Sequence, residues 1–415
     1  MLLAGAAIPI RSPGRSAGGL IRVCLINRSA SYDWEVSVKG CARIRRLVKR
    51  VIDLRKTDLF DTHKSLGARL VSFGGWSMPV EYSGIAKEHH AVRSAAGLFD
   101  VSHMGEFRIS GPQALDLIQF VTCNNAARLA DGQAQYSALP TEEGTVVDDL
   151  LVYRESGDRY MLVVNASNIE SDLEWIQDHN KFLASVENVS NETGLLALQG
   201  PLAADILQPL SDIPLERIAA YHFARGRISG VDATVSRTGY TGEDGFELYF
   251  SASQSVRLWN AIMEAGRPHG LLPAGLGARN TLRLEAKMLL YGNDIDRTTT
   301  LFEAGLGWIV KLEKGTFIGS AALRNQKSEG TTRTLAGFEM LGPEIARDHY
   351  PVTIDGQEAG RVTSGSPSIT LRKNIGLAYL PVEHAVIGKT FQVLVRRRPC
   401  DAQVVPTPFY KRRSA

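Results

Sequence analysis

Two segments of the chain, "GPQALDLIQ" (111–119) and "GPLAADILQ" (200–208), share Gly, Pro, Ala, Asp and Gln in register. Each follows a strand-like run, "EFRISG" and "GLLALQG". Each also sets a proline just inside a helix start, with apolar residues at helical spacing behind it. A chain that makes the same strand-to-helix transition twice is expected to hold two related α+β halves. Two such halves leave a cleft between them, a common place for small-molecule sites. Convergence of two turns on one solution is the alternative, but duplication also accounts for the matches beyond the cap residues.

Between the echoes, "TVVDDLLVYR" and "YMLVVNA" read as strands, and "SNIESDLEWIQDHN" as a helix with Ile169, Leu173 and Ile176 on one face. "SASQSVRLWNAIMEAG" predicts another amphipathic helix. "GARNTLRLEAKMLL" (277–290) predicts a third, with Leu282, Ala286 and Leu289 inward and Arg279 in its first turn. The character changes near residue 325, where "RNQKSEGTTRT" reads as a polar linker. Short strands with turn residues follow, the pattern of a small antiparallel barrel or sandwich. The expected organisation is therefore an extension (1–52), an α+β body (56–325) and a C-terminal antiparallel β-barrel (332–412).

Ten of the 47 Lys and Arg, but only two of the 44 Asp and Glu, fall in residues 1–52. The rest of the chain is mildly acidic and lacks the basic footprint of a nucleic-acid binder. No apolar run reaches the ~18 residues of a membrane span. Cys24, Cys41, Cys123 and Cys400 have neither metal-type spacing nor the density of a disulfide framework, which fits a reducing compartment. The extension begins "MLLAGAAIPIRSPGRSAGG", loosely the composition of a mitochondrial transit peptide. A disordered tail, or an upstream start codon chosen in error, is the plainer reading. "ARIRRLVKR" (42–50) has the composition of a short basic helix.

The stretch "RTGYTGEDGFELYF" (237–250) spaces Gly239, Gly242 and Gly245 three apart. Glycine-rich turns often cradle phosphate, but here Glu243, Asp244 and Glu247 would meet the anion with no neighbouring lysine. Dinucleotide loops also have a different spacing and open a helix. The residues after this turn alternate as a strand, with Phe246, Leu248 and Phe250 on one face and Glu247 and Tyr249 on the other. A carboxylate fixed there suits a ligand rich in N–H donors. Glu243 lies on the turn itself, where its side chain need not face the cleft.

Asp100, in "FDVSHMGEF" (99–107), reads either as a helix cap or as a pocket carboxylate. Arg279 at a helix N-terminus is disfavoured by the dipole, which points to an anion nearby, Glu247 being one candidate. His89 and His90 are adjacent and point in different directions on a helix, so a shared metal ion is not expected. No G-x-S-x-G elbow marks an acyl-enzyme hydrolase.

Taken together, "GGWSMPVEY", "FDVSHMGEF", "VVDDLLVY", "LALQGP", "RTGYTGEDGFE", "PAGLGARNTLRLEA", "LLYGNDID", "GLGWIVKL" and "VTSGSPSITLRKNIGLAYL" resemble the aminomethyltransferase (T-protein) family of the glycine cleavage system. The resemblance runs in order from about Lys56 to Tyr410. It implies a duplicated α+β folate-binding body followed by a C-terminal β-barrel. It also implies transfer of a one-carbon unit from the aminomethylated lipoyl arm of H-protein to tetrahydrofolate, with release of ammonia. Tetrahydrofolate is then a co-substrate and lipoylated H-protein the partner, with no metal, flavin, nucleic acid or membrane required.

The family's catalytic aspartate falls on Asp100, and its folate contacts fall on Glu247 and Arg279, with Tyr240 a stacking or hydrogen-bonding neighbour. A C-terminal tyrosine of animal relatives corresponds to Phe409, which leaves open whether Tyr410 replaces it. Folate-dependent demethylases and non-enzymatic folate-binding proteins share the fold. The chain has no room for the flavin part of the former and lacks the K-G-C-Y-x-G-Q-E signature of the latter. The implied compartment is a bacterial cytoplasm, or the mitochondrial matrix if residues 1–52 act as a transit peptide.

Overall fold

The computed structural model describes Cys24–Asn27, Trp34–Ser37 and residues 54–412. By its contacts the chain divides into Met1–Arg55 and Lys56–Ala415. In the first unit, β1 (Cys24–Asn27) and β2 (Trp34–Ser37) form an antiparallel hairpin. The basic stretch at 42–50, and the expectation of a disordered tail otherwise, lie outside the described residues.

The second unit opens with α1 (Phe60–Ser65), the hairpin of β3 (Arg69–Phe73) and β4 (Trp76–Glu81), and α2 (Ile85–Ser94). After β5 (Gly97–Asp100) come β6 (Gly105–Ser110), α3 (Ala114–Val121), β7 (Gln133–Pro140), β8 (Val146–Ser156) and β9 (Arg159–Val164). Next are α4 (Ile169–Asp178), β10 (Ser185–Asn188), β11 (Thr193–Gln199) and α5 (Ala203–Leu207). The body is completed by β12 (Phe223–Ile228), β13 (Val231–Ser236), β14 (Gly245–Ser251), α6 (Ser255–Gly266), β15 (Leu272–Pro273) and α7 (Leu276–Glu285). Two sheets result, a five-stranded one in the order β10-β6-β9-β8-β7 and a six-stranded one in the order β12-β13-β14-β11-β5-β15. Strands pair antiparallel except β15 beside β5.

The sequence echo is also a backbone echo. Gly111 follows β6 at φ +123 and Gly200 follows β11 at φ +137. A Cβ on either would meet a backbone carbonyl oxygen, Leu183 O at 2.7 Å or Ala95 O at 2.5 Å. Glycine is thus required at both positions, and the chain turns into α3 and α5 in the same way.

Strand alternation sorts the layers. Phe246, Leu248 and Phe250 pack with Leu196, Leu198, Leu258 and Trp259 beneath the six-stranded sheet. The opposite face carries Tyr249, Phe99 and Ala197, which meet Tyr153 and Val163 of the five-stranded sheet. Glu247 shares that inter-sheet face, because it stands opposite Ala197 in the β11–β14 register.

Two boundaries differ from the sequence reading. The polar stretch after residue 323 is not a linker at first but the end of α8 (Ser320–Glu329), closed by Gly330 at φ +85. Only Ser320 and Leu323 of α8 are buried, so its sequence carries almost no apolar stripe to reveal it. The helix expected over 277–290 ends at Glu285. Lys287 adopts φ +54, and the Met288 and Lys287 N–H groups bond back to Arg283 O and Leu284 O, a Schellman closure. Leu289 is nonetheless buried.

Beyond α8, β16 (Arg333–Met340), β17 (Pro351–Ile354), β18 (Gln357–Ser368), β19 (Lys373–Pro381), β20 (Thr390–Val395) and β21 (Arg398–Val404) close into a barrel, not a sandwich, in the order β16-β19-β18-β17-β20-β21. Phe338, Val352, Val362, Phe391 and Val393 fill it. No helix among the described residues is long and apolar enough to cross a membrane.

A buried ion pair fastens the barrel to the body. Arg283 of α7 donates to Asp294 Oδ2 at 2.6 Å and to Ser364 Oγ of β18 at 2.8 Å. Thr363 donates to Asp294 Oδ1, and Tyr379 to the Asp294 carbonyl. Removing one member of such a pair strands the other charge in a dry site. Asp294→Ala should therefore lower unfolding free energy in urea by about 3–5 kcal/mol. Breaking the more exposed Lys373–Glu339 pair with Glu339→Ala should lower it by no more than ~1 kcal/mol.

Candidate active site

Asp100 is the last residue of β5, and its carboxylate caps no helix. It is 4 % exposed. Oδ2 accepts hydrogen bonds from the Thr57 hydroxyl (2.7 Å) and lies 2.8 Å from His63 Nε2. Oδ1 accepts the Ser102 N–H at 3.0 Å. Burial alone would raise the carboxyl pKa, but His63, Thr57 and the Ser102 N–H together hold it below the ordinary value. Asp100 is therefore an ionised carboxylate in a water-poor position. The "THK" and "KTDLF" residues that supply Thr57 and His63 carry no sequence signal of this role.

Glu247, Arg279 and Tyr240 come together on the inter-sheet side. Glu247 is buried and accepts the Thr238 hydroxyl on Oε2 at 2.5 Å. Burial pushes its pKa up, while Thr238 and the positive charge of Arg279 oppose the shift. The Arg279 guanidinium lies 4.5 Å over the Tyr240 ring. Among the described residues it makes no ion pair, so Glu247 is a neighbouring charge and not its direct partner. Tyr240 donates its hydroxyl to the Leu289 carbonyl, which anchors the ring whose face meets Arg279.

Asp100 belongs to the other side of the same sheet. It stands opposite Leu196 on β11, whereas Glu247 stands opposite the next residue, Ala197. His103, just past the end of β5, feels the charges of both Asp100 and Arg279. This imidazole is buried, with Nδ1 unpartnered. Its pKa is pulled to about 4 by burial and by Arg279, with Asp100 opposing, so it is neutral at physiological pH. Glu106, on β6, was not distinguished in the sequence. It is fully buried, neither carboxylate oxygen has a partner, and burial followed by the charge of Glu247 drives its pKa well up.

The glycine-rich turn serves packing. Gly245 brings the chain against the Leu198 carbonyl, which a Cβ would approach to 2.5 Å. Glu243 buries its side chain at the turn, in an ion-pair cluster. Its side chain is 6 % exposed, pairs with Arg93 at 2.8 Å and accepts the Tyr410 hydroxyl at 2.7 Å. Arg93 lies 3.9 Å over the Tyr410 ring and also reaches Glu285. Phe409 instead packs against the core cluster beside the barrel. Glu243→Gln should thus reduce thermal stability by leaving Arg93 undercompensated, by about 1–3 kcal/mol, with folate affinity nearly unchanged in titration.

Among the described residues no three His, Cys, Asp or Glu side chains are grouped to hold a metal ion. His89 bonds Thr281 and Thr370, away from His103. Two open cavities, about 630 and 240 Å³, border Tyr249 and Arg225 without including Asp100, Glu247 or Arg279.

The fold recurs in known proteins. The GCVT N-terminal domain matches residues 59–314, and the glycine cleavage T-protein C-terminal barrel domain matches 333–411. Aminomethyltransferase from Halalkalibacterium halodurans is 50% identical over 361 residues, 87% of this chain and 99% of its own length. That of Symbiobacterium thermophilum is 53% identical over 367 residues, 86% and 98% of the two chains. The crystal structure of glycine cleavage system aminomethyltransferase T from Bartonella henselae matches with a TM-score of 0.82 at 32% identity, covering 87% of this chain and 99% of that one. With both halves of its length matched and its relatives covered almost end to end, the chain belongs to the glycine cleavage T-protein family of aminomethyltransferases.

Proposed function

We propose that this aminomethyltransferase takes the aminomethyl group held on the lipoyl arm of H-protein and passes its carbon to tetrahydrofolate, releasing ammonia and leaving dihydrolipoyl H-protein. The observation that carries the reading is an ionised Asp100 anchored at the end of β5, whose charge and that of Arg279 are both felt by the buried His103. The reduced pterin ring offers an exocyclic amine and ring N–H groups. Glu247, fixed by Thr238, supplies the matching acceptor, and Arg279 favours its charged form. Asp100 accepts a hydrogen bond from the folate amine that attacks the aminomethyl carbon, or faces the iminium derived from it. A carboxylate there stabilises positive charge as it develops on nitrogen and carbon, and holding both reactants in one cleft lowers the barrier further. The scheme calls on no metal or flavin. Bacterial relatives favour a cytoplasmic setting over the mitochondrial one.

Purified protein supplied with aminomethylated H-protein and tetrahydrofolate should release ammonia and form methylene-tetrahydrofolate. Folate binding without turnover would instead identify a binding protein. Asp100→Asn keeps the shape and removes the charge, so turnover should fall roughly 10²–10³-fold with little change in folate affinity. Glu247→Gln replaces an acceptor with an N–H₂ facing the ligand's own donors. Losing a charge-assisted bond of ~1.5–3 kcal/mol should weaken tetrahydrofolate binding roughly ten- to a hundred-fold in equilibrium titration.

A further inference from the structure

The surroundings of Asp100 hold more than the carboxylate itself. His63, on the short helix α1, is fully buried and places Nε2 2.8 Å from Asp100 Oδ2. Its other nitrogen, Nδ1, lies 2.9 Å from the Tyr82 hydroxyl. Burial, followed by the charges of Asp100 and Glu88, drives the Tyr82 pKa up, so this hydroxyl keeps its proton. The ionised Asp100 carboxylate only accepts, so a hydrogen on Nε2 of His63 points at it, and the Tyr82 hydroxyl is then the donor to Nδ1. Trp259 meets the imidazole edge-on at 5.7 Å and Tyr82 meets it at 5.8 Å, so the ring is held between two aromatics.

We propose that His63 is a positioning residue for Asp100. Tyr82 braces the ring through Nδ1, and the His63 Nε2–H, together with the Thr57 hydroxyl, pins Oδ2 and leaves Oδ1 to meet the ligand. This rests on the reading of Asp100 as the catalytic carboxylate. Oδ2 spends both of its lone pairs on Thr57 and His63. Oδ1 takes one backbone N–H from Ser102 and keeps capacity for a second donor. The two side-chain donors also stabilise the charged form against burial. Without the imidazole N–H, Asp100 would take up a proton more readily and lose one of its orienting contacts. The ionisable groups around the pair are His103 on the Asp100 side and Tyr82 with Glu88 behind it on the His63 side.

The test compares His63→Leu, His63→Gln and Tyr82→Phe in the full chain, with aminomethylated H-protein and tetrahydrofolate. His63→Leu should lower kcat about 10–100-fold while folate Kd stays near that of the parent. The acid limb of its kcat–pH profile should move to higher pH, because a carboxylate deprived of a donor has a higher pKa. Gln can present an N–H near the Nε2 position, so His63→Gln should recover much of the loss. Tyr82→Phe, which removes the hydrogen bond bracing Nδ1, should move the acid limb in the same direction by less.

A Gln variant as impaired as the Leu variant, with an unmoved acid limb in both, would make His63 a packing residue and overturn the inference. Should His63→Leu not fold, an unmoved limb and parental kcat in both Tyr82→Phe and His63→Gln would overturn it equally. Asp100→Asn separates the two levels. Near-parental turnover there defeats the reading of Asp100 itself. Low turnover there beside unaffected His63 and Tyr82 variants defeats only the role given to His63.

Discussion

Helix α7 is the strut on which the remaining structure depends. Its first turn carries Arg279 to the face of Tyr240, and its middle sends Arg283 into the Asp294–Ser364 lock with the barrel. Its last residue, Glu285, receives Arg93 from α2 and the Ser368 and Thr370 hydroxyls from the β18 end. Burial works against the Glu285 carboxylate, but His89, Ser368 and Arg93 hold its pKa at about 2. Arg279 and Arg283 are four residues apart and repel as like charges on one helix face. Asp294 neutralises Arg283, so the charge left to act on the cleft is that of Arg279. Body, barrel and site are thus tied through ten residues of one helix.

The site takes its geometry from strand register. β11 lies between β5 and β14, and its consecutive residues Leu196 and Ala197 stand opposite Asp100 and Glu247. A one-residue step reverses the facing of side chains, which sends the two carboxylates to opposite sides of the sheet. A one-residue slip of β14 would drive Glu247 into the leucine-rich core around Leu196 and Leu198, and one of β5 would carry Asp100 away from Thr57 and His63. The hydrophobic pattern that builds the core therefore also fixes the two acidic positions. A ligand touching both must pass the end of β5, where Val101 to His103 form the crossing.

Much of this was legible in the sequence. Alternation along "GFELYF" separated Glu247 and Tyr249 from the core phenylalanines, because a strand with two unlike buried faces still alternates in shape and polarity. The paired Gly-Pro turns foretold the repeated backbone. The motif set marked Asp100, Glu247, Arg279 and Tyr240, three of which the fold gathers on one side. Thr57, His63 and Tyr82 were hidden, because a hydrogen bond between residues 37 and 43 positions apart leaves no periodic trace. The burial of the Glu243 side chain was not legible, because its partners Arg93 and Tyr410 arrive from distant parts of the chain. The polar helix α8 was missed since its anchor is Leu323 with little other buried apolar surface.

The cleft also sorts its ionisable groups by environment rather than by type. Asp100 has three donors and stays charged below the ordinary carboxylate range. Glu106, equally buried but without a donor, is driven to the neutral acid. His103 is neutral because burial and Arg279 outweigh the attraction of Asp100. Environments that push similar groups apart assign them different chemical work. Here the outcome is a fixed negative charge at the strand end and a neutral imidazole that feels both it and the Arg279 cation. Protonating His103 would add a positive charge near Asp100 and offset the carboxylate's field. The low imidazole pKa therefore preserves the electrostatic asymmetry on which the role proposed for Asp100 rests.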